Sequence, residues 1–132
     1  MSTDTRSPVT CHVLDSSIGK PAAGVAVELQ VMTSDGGAAH FQTLAKGVTN
    51  ADGRCTQLWP DGDHKLERAQ LTTGKMYKVV FQTQEYFAKT DRKCFYPWVD
   101  ITFQVPEGHK PDEHYHIPLL LSPYSYTTYR GS

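Results

Sequence analysis

Two histidines stand one residue apart near the end of the chain, in "HYHIPLLLSPYSYTTYRGS", residues 114–132. Alternation through this stretch puts Tyr115, Ile117, Leu119 and Leu121 on one face of a strand and His114, His116 and Pro118 on the other. Both imidazoles then project from the polar face, about 7 Å apart by strand rise. Three readings compete for them. A solvated or hydrogen-bonded strand face requires nothing else. A metal site requires a third ligand; His12, His64 or His109 could serve, but no carboxylate or cysteine lies close enough in sequence to strengthen the case. Acid–base catalysis suits imidazole, whose unperturbed pKa of about 6.5 lets it take up and return a proton near neutrality. Ser122 and Ser125 lie close by, yet no GxSxG elbow or triad partner accompanies them, so a serine nucleophile is not indicated.

Composition narrows the partners. The chain has 132 residues, with 13 Lys and Arg against 14 Asp and Glu, enough length for one domain with a single core. The basic residues are scattered, which argues against nucleic acid or an anionic membrane surface. No apolar stretch approaches the roughly 20 residues that span a bilayer. "MSTDTRSPVT" lacks the apolar region of a secretory signal. The three cysteines, Cys11, Cys55 and Cys94, are odd in number and without CxxC spacing, which predicts idle or buried thiols in a reducing compartment. Cytosol is the default expectation, because "RGS" is not a recognised peroxisomal C-terminal signal, and a peroxisomal location is left open.

The elements that must position the histidines follow from period-two patterning. "GVAVELQVM" buries Val25, Val27, Leu29 and Val31; "KMYKVVFQT" buries Tyr77, Val79 and Phe81; "WVDITFQV" buries Val99, Ile101, Phe103 and Val105. Turn signals separate them, among them "TSDGG", "NADGR", "WPDGDH" and "PEGHKPDE". "QEYFAKTD" alone reads as a helix, about two turns long, with Tyr86 and Phe87 leaning on a sheet. The expectation is an all-β, antiparallel β-sandwich of seven to eight strands with one short helix. Residues 1–9 read as a mobile lead-in and residues 10–132 as the domain.

"CHVLDSSIGKPAAGVAVELQ", "TNADGRC" and the terminal "HYHIPLLLSPYSYTTYRGS" together resemble the transthyretin-related 5-hydroxyisourate hydrolases over nearly the whole chain. "HVLD" and "LLLSPYSY" are shared with the hormone carrier transthyretin and speak for a transthyretin-like sandwich. Three positions discriminate. His12, Arg54 and His116 match the hydrolases, where the carrier branch has lysine, glutamate and threonine, and the chain ends in the hydrolase-like "YRGS". The segments "MTSDGGAAHFQTLAKG" and "WPDGDHKLERAQLTTG" differ in length from the family pattern, which affects loop shape more than chemistry.

The resemblance implies hydrolytic opening of the six-membered ring of 5-hydroxyisourate, a product of urate oxidation, to a ureidoimidazoline carboxylate. His12 and His116 would divide the proton transfers, and Arg54 would hold a carbonyl or stabilise the oxyanion. Tyr129 and Ser132 would close the substrate pocket, the chain end forming part of the site. His114 and Arg130 are secondary: a neighbour of the site, and either a substrate clamp or a salt bridge holding the tail. Without the resemblance, His12 reads as a half-buried strand histidine and Arg54 as a solvated turn residue. Water is the expected nucleophile, with no metal and no cofactor. The resemblance also implies a homotetramer, a dimer of dimers joined by edge strands around a central channel. The alternative is a transthyretin-like carrier of small aromatic ligands; a zinc-dependent hydrolase is a third option.

Overall fold

Alternating sequences become strands where every second side chain can be buried against a facing layer. In the computed structural model, which describes residues 7–60, 71–110 and 113–132, two sheets do this. One contains β1 (Val9–Asp15), β2 (Lys20–Pro21), β5 (Arg54–Cys55), β9 (Tyr115–Ser122) and β10 (Ser125–Thr128), in the order β10-β9-β1-β2 with β5 also paired to β1. The other contains β3 (Ala26–Asp35), β4 (Ala38–Val48), β6 (Trp59–Pro60), β7 (Met76–Phe81) and β8 (Val99–Gln104), ordered β6-β4-β3-β7-β8. Seven of these strands have four residues or more, and the other three are two-residue pairings.

The faces fall as the alternation requires. Val27, Leu29 and Val31 of β3, Tyr77, Val79 and Phe81 of β7, and Tyr115, Ile117, Leu119 and Leu121 of β9 are buried between the layers with Val9, Cys11 and Val13 of β1. Full burial of one such side chain contributes roughly 1.5–3 kcal/mol. Leu119, fully buried at the centre of β9, is a position where truncation to alanine costs about 2–5 kcal/mol.

One pairing departs from the antiparallel expectation. β1 and β9 run parallel, Val9 opposite Tyr115 through to Asp15 opposite Leu121. Burial parity is the same for either strand direction, so alternation alone carries no signal for it.

The sandwich also begins earlier than residue 10. Ser7 is buried, its amide donates to the Thr56 carbonyl at 2.8 Å, and its hydroxyl accepts from the Leu58 amide at 2.7 Å. Val9 already belongs to β1. These contacts remove residues 7–9 from the lead-in; residues 1–6 lie outside the described residues, as does most of the "WPDGDH" turn.

The helix α1 (Thr83–Lys89) follows β7 and buries Tyr86 and Phe87. It is tied to β1 through Asp15, whose side chain is fully buried. That carboxylate accepts from the Tyr86 hydroxyl at 2.8 Å, from Arg92 Nη2 at 2.6 Å and from the Ser17 amide at 3.1 Å, and also from the Ser17 hydroxyl. Burial pushes the Asp15 carboxyl up, but the hydrogen bonds from Ser17, Arg92 and Tyr86 and the Arg92 charge outweigh it and hold it below its usual value. Tyr86 is pushed up to about 12 by burial and by Asp15. Among the described residues no helix is long and apolar enough to cross a membrane.

Candidate active site

The strand β1 turns Cys11 and Val13 into the core and Thr10 and His12 toward the outer face. Its two neighbours place the remaining site residues. His12 lies directly opposite Arg54 of β5, and Thr10 directly opposite His116 of β9. The imidazoles of His12 and His116 come to 6.4 Å between ring centroids, tilted by 37°. Both are half-buried, while Arg54 is exposed.

A two-residue strand does not hold Arg54 in place by itself. The turn before it does. The Asn50 side-chain oxygen accepts from the amides of Asp52 (2.9 Å) and Arg54 (3.0 Å), an Asx-type turn. Gly53 takes φ of 74°, and a Cβ there would meet the Val13 carbonyl at 2.3 Å. Only glycine allows this approach. It lets the Gly53 carbonyl accept the Val13 amide at 2.7 Å, fastening the turn to β1.

The same turn fixes one histidine. His12 Nε2 lies 3.1 Å from the Asp52 carbonyl oxygen, which can only accept, so Nε2 carries the hydrogen and Nδ1 of neutral His12 carries the lone pair. His116 Nδ1 lies 2.9 Å from the Thr10 hydroxyl.

The tail closes over this face. Gly131 pairs with His116, its amide donating to the His116 carbonyl at 3.0 Å. A Cβ at 131 would fall 2.6 Å from His116 Cδ2, so the glycine of "YRGS" is what lets the backbone lie against the imidazole. Ser132, exposed, follows directly.

The other expected residues go elsewhere. Arg130 places its guanidinium carbon 5.4 Å from the centroid of the Tyr115 ring, and Tyr115 faces the core. Tyr129, 58% exposed, helps line a cavity of 310 Å³ with Arg130, Tyr115, Phe103 and Ile117. That cavity opens between β8 and β9, on the opposite face of β9 from His116. His114 is half-buried one residue before β9. His109 turns its Nδ1 to the Tyr115 hydroxyl at 2.7 Å, away from His116. His64 lies outside the described residues. Among the described residues no three His, Cys, Asp or Glu are grouped to hold a metal ion.

Cys11 and Cys55 lie opposite one another beneath the His12–Arg54 pair, as free thiols. Burial pushes both thiols up, which disfavours the thiolate a nucleophile requires.

Sequence reasoning did not single out Thr10, Asn50, Asp52 or Gly131. Thr10 was within reach: in "VTCHVLD" it stands two residues before His12, hence on the same face. The contact of Asp52 is made by its backbone carbonyl, for which side-chain identity gives no signal.

A profile of the HIUase/Transthyretin family matches residues 9–131. The mouse 5-hydroxyisourate hydrolase is 39% identical over 126 residues, covering 96% of both chains. The solved 5-hydroxyisourate hydrolase of Klebsiella pneumoniae superposes with a TM-score of 0.67 at 31% identity, covering 94% of this chain and 92% of that one. Sea bream transthyretin in complex with thyroxine superposes with a TM-score of 0.74 at 34% identity, covering 94% of each chain. With the strand pairing, the anchored tail and a match over nearly its whole length, the chain belongs to the HIUase/Transthyretin family.

Proposed function

We infer that the protein hydrolyses 5-hydroxyisourate to 2-oxo-4-hydroxy-4-carboxy-5-ureidoimidazoline in urate degradation. The observation that carries this reading is the meeting of His12, Arg54 and His116 on one face of the first sheet. The names of the mouse and Klebsiella relatives support it. The substrate is flat, rich in carbonyls and readily anionic. One imidazole takes a proton from water as the water oxygen adds to a ring carbonyl. Arg54 stabilises the resulting oxyanion. Collapse breaks the ring C–N bond, and the second imidazole protonates the departing nitrogen. Ser132, next to the residue that lies on His116, closes the pocket in this reading. Tyr129 and Arg130 line the cavity on the opposite face of β9, and support of the tail is the role we assign them.

We assign the protein to a homotetramer. β8 and β10 each end a sheet, and such edges favour pairing with a second copy. Phe95, Trp98 and Tyr124 are more than half exposed, apolar surface that an assembly would cover. Sedimentation at micromolar concentration should give four times the chain mass; a monomer would contradict this. The cytosol is the compartment we assign, since three free thiols suit a reducing interior.

A non-catalytic carrier of small aromatic ligands finds support in the likeness to sea bream transthyretin, but ionisable side chains occupy the face where such a carrier needs an apolar slot. The experiment is the decay of freshly generated 5-hydroxyisourate, followed by ultraviolet absorbance against its spontaneous background. Acceleration that survives chelator treatment supports the hydrolase. No acceleration favours the carrier, and loss on chelation favours a metal enzyme.

A further inference from the structure

We propose that Thr10 is a positioning residue for His116, setting which ring nitrogen exchanges the proton; the proposal rests on the hydrolytic reading above. Thr10 is 4% exposed although its side chain leaves β1 on the outer face. Its hydroxyl lies 2.9 Å from His116 Nδ1, across 106 positions of sequence, because parallel pairing sets the two residues opposite one another. Among the described residues this is the hydrogen bond its hydroxyl makes.

A buried hydroxyl held to one partner is an unusual choice where valine would fill the same space and suit a strand equally well. A hydroxyl can accept from Nδ1–H or donate to an unprotonated Nδ1. The first arrangement leaves the lone pair of neutral His116 on Nε2 and persists when Nε2 takes up a proton, because Nδ1–H is present in both states. The second is lost on protonation. A ring that cycles between neutral and charged forms during turnover keeps its orientation only in the first. Thr10 therefore accepts from Nδ1–H and assigns proton transfer to Nε2.

The arrangement differs from that of His12, whose Nε2 is the anchored nitrogen. The two imidazoles are thus held by opposite ring nitrogens, one by a backbone carbonyl and one by a hydroxyl. Rotation of either ring would cost its anchor.

The test compares Thr10→Val, which keeps the shape and removes the hydroxyl, with Thr10→Ser, which keeps the hydroxyl. Steady-state hydrolysis of 5-hydroxyisourate is read together with ¹⁵N chemical shifts of the His116 ring. The expected result is a kcat lowered about 10- to 100-fold in Thr10→Val, by analogy with lost orienting partners of metal-ligating histidines, with KM within about threefold. Thr10→Ser should stay within about threefold of wild type in both constants. The ring shifts should place the hydrogen of neutral His116 on Nδ1 in wild type and in Thr10→Ser, and move it toward Nε2 in Thr10→Val. Equal losses in both variants, an unchanged kcat in Thr10→Val, or an Nε2–H tautomer in wild type would each overturn the proposal. An inactive wild type would instead overturn the hydrolytic reading, and the ring shifts would still decide whether Thr10 sets the tautomer.

Discussion

The two ends of β1 carry polar groups to opposite effect. At its C-terminal end Asp15 is wholly buried and accepts from Ser17, Tyr86 and Arg92. Toward its N-terminal end, Thr10 and His12 share the outer face with Arg54 and His116, and the half-buried imidazoles are held at Nε2 of His12 and Nδ1 of His116. A buried charge surrounded by donors gains structure, because nothing can reach it and every lone pair is used. Half-buried rings held by a hydrogen bond keep a fixed direction, which is what proton transfer to a bound substrate would require. Two residues of β1, Val13 and Leu14, separate this structural polar cluster from the proposed reactive one.

That contrast is broken most severely at the histidines. His116→Ala and His12→Ala should each lower kcat by about 10²- to 10⁴-fold, with stability changed by less than about 1 kcal/mol because neither ring is part of the core. Rate assays paired with urea unfolding check both halves. Arg54→Ala should follow with a loss of about 10²- to 10³-fold in kcat, again with little effect on unfolding, since the Asn50 turn and Gly53 hold β5 without the guanidinium.

The other end of the strand should behave in reverse. Arg92→Ala removes a donor from a buried carboxylate and should destabilise the fold by about 2–4 kcal/mol, somewhat below the usual penalty for breaking a buried pair because Arg92 is itself partly exposed. Hydrolysis per folded molecule should change less than about threefold.

A pH series sharpens the same point. The Asp15 carboxyl is held below its usual value, so its contribution is fully present above its unfolded pKa of about 3.9 and is lost as pH falls through the lower folded value. Wild-type stability should therefore fall below about pH 4 more steeply than that of Asp15→Asn. Gly131→Ala should have the smallest effect on the fold and a moderate one on rate, about tenfold, because the added Cβ displaces the tail from His116 while leaving the core intact.

Much of the fold was legible because burial parity is a local signal. The buried faces of β3, β7 and β9, and the pair Tyr86 and Phe87 on the helix, could be read one residue at a time. The direction of β9 relative to β1 could not, since parity is identical in either orientation. Arg54 shows the same limit at the site. Taken by itself it is a solvated turn residue, and only the pairing of β5 with a distant strand sets it opposite His12. Family resemblance supplied what local chemistry did not. At the tail, alternation fails for a physical reason: the chain leaves β10 after Thr128 and rejoins β9 only at Gly131, so Tyr129 and Arg130 take directions that strand parity does not govern.

The most direct test of the division along β1 is the decay of 5-hydroxyisourate measured with wild type and His116→Ala at matched concentrations of folded protein. We expect acceleration over the spontaneous background by wild type and at least about a hundredfold less by the variant. Equal acceleration by the two proteins would contradict the account, because it would place the chemistry away from the outer face that β1, β5, β9 and the tail build together.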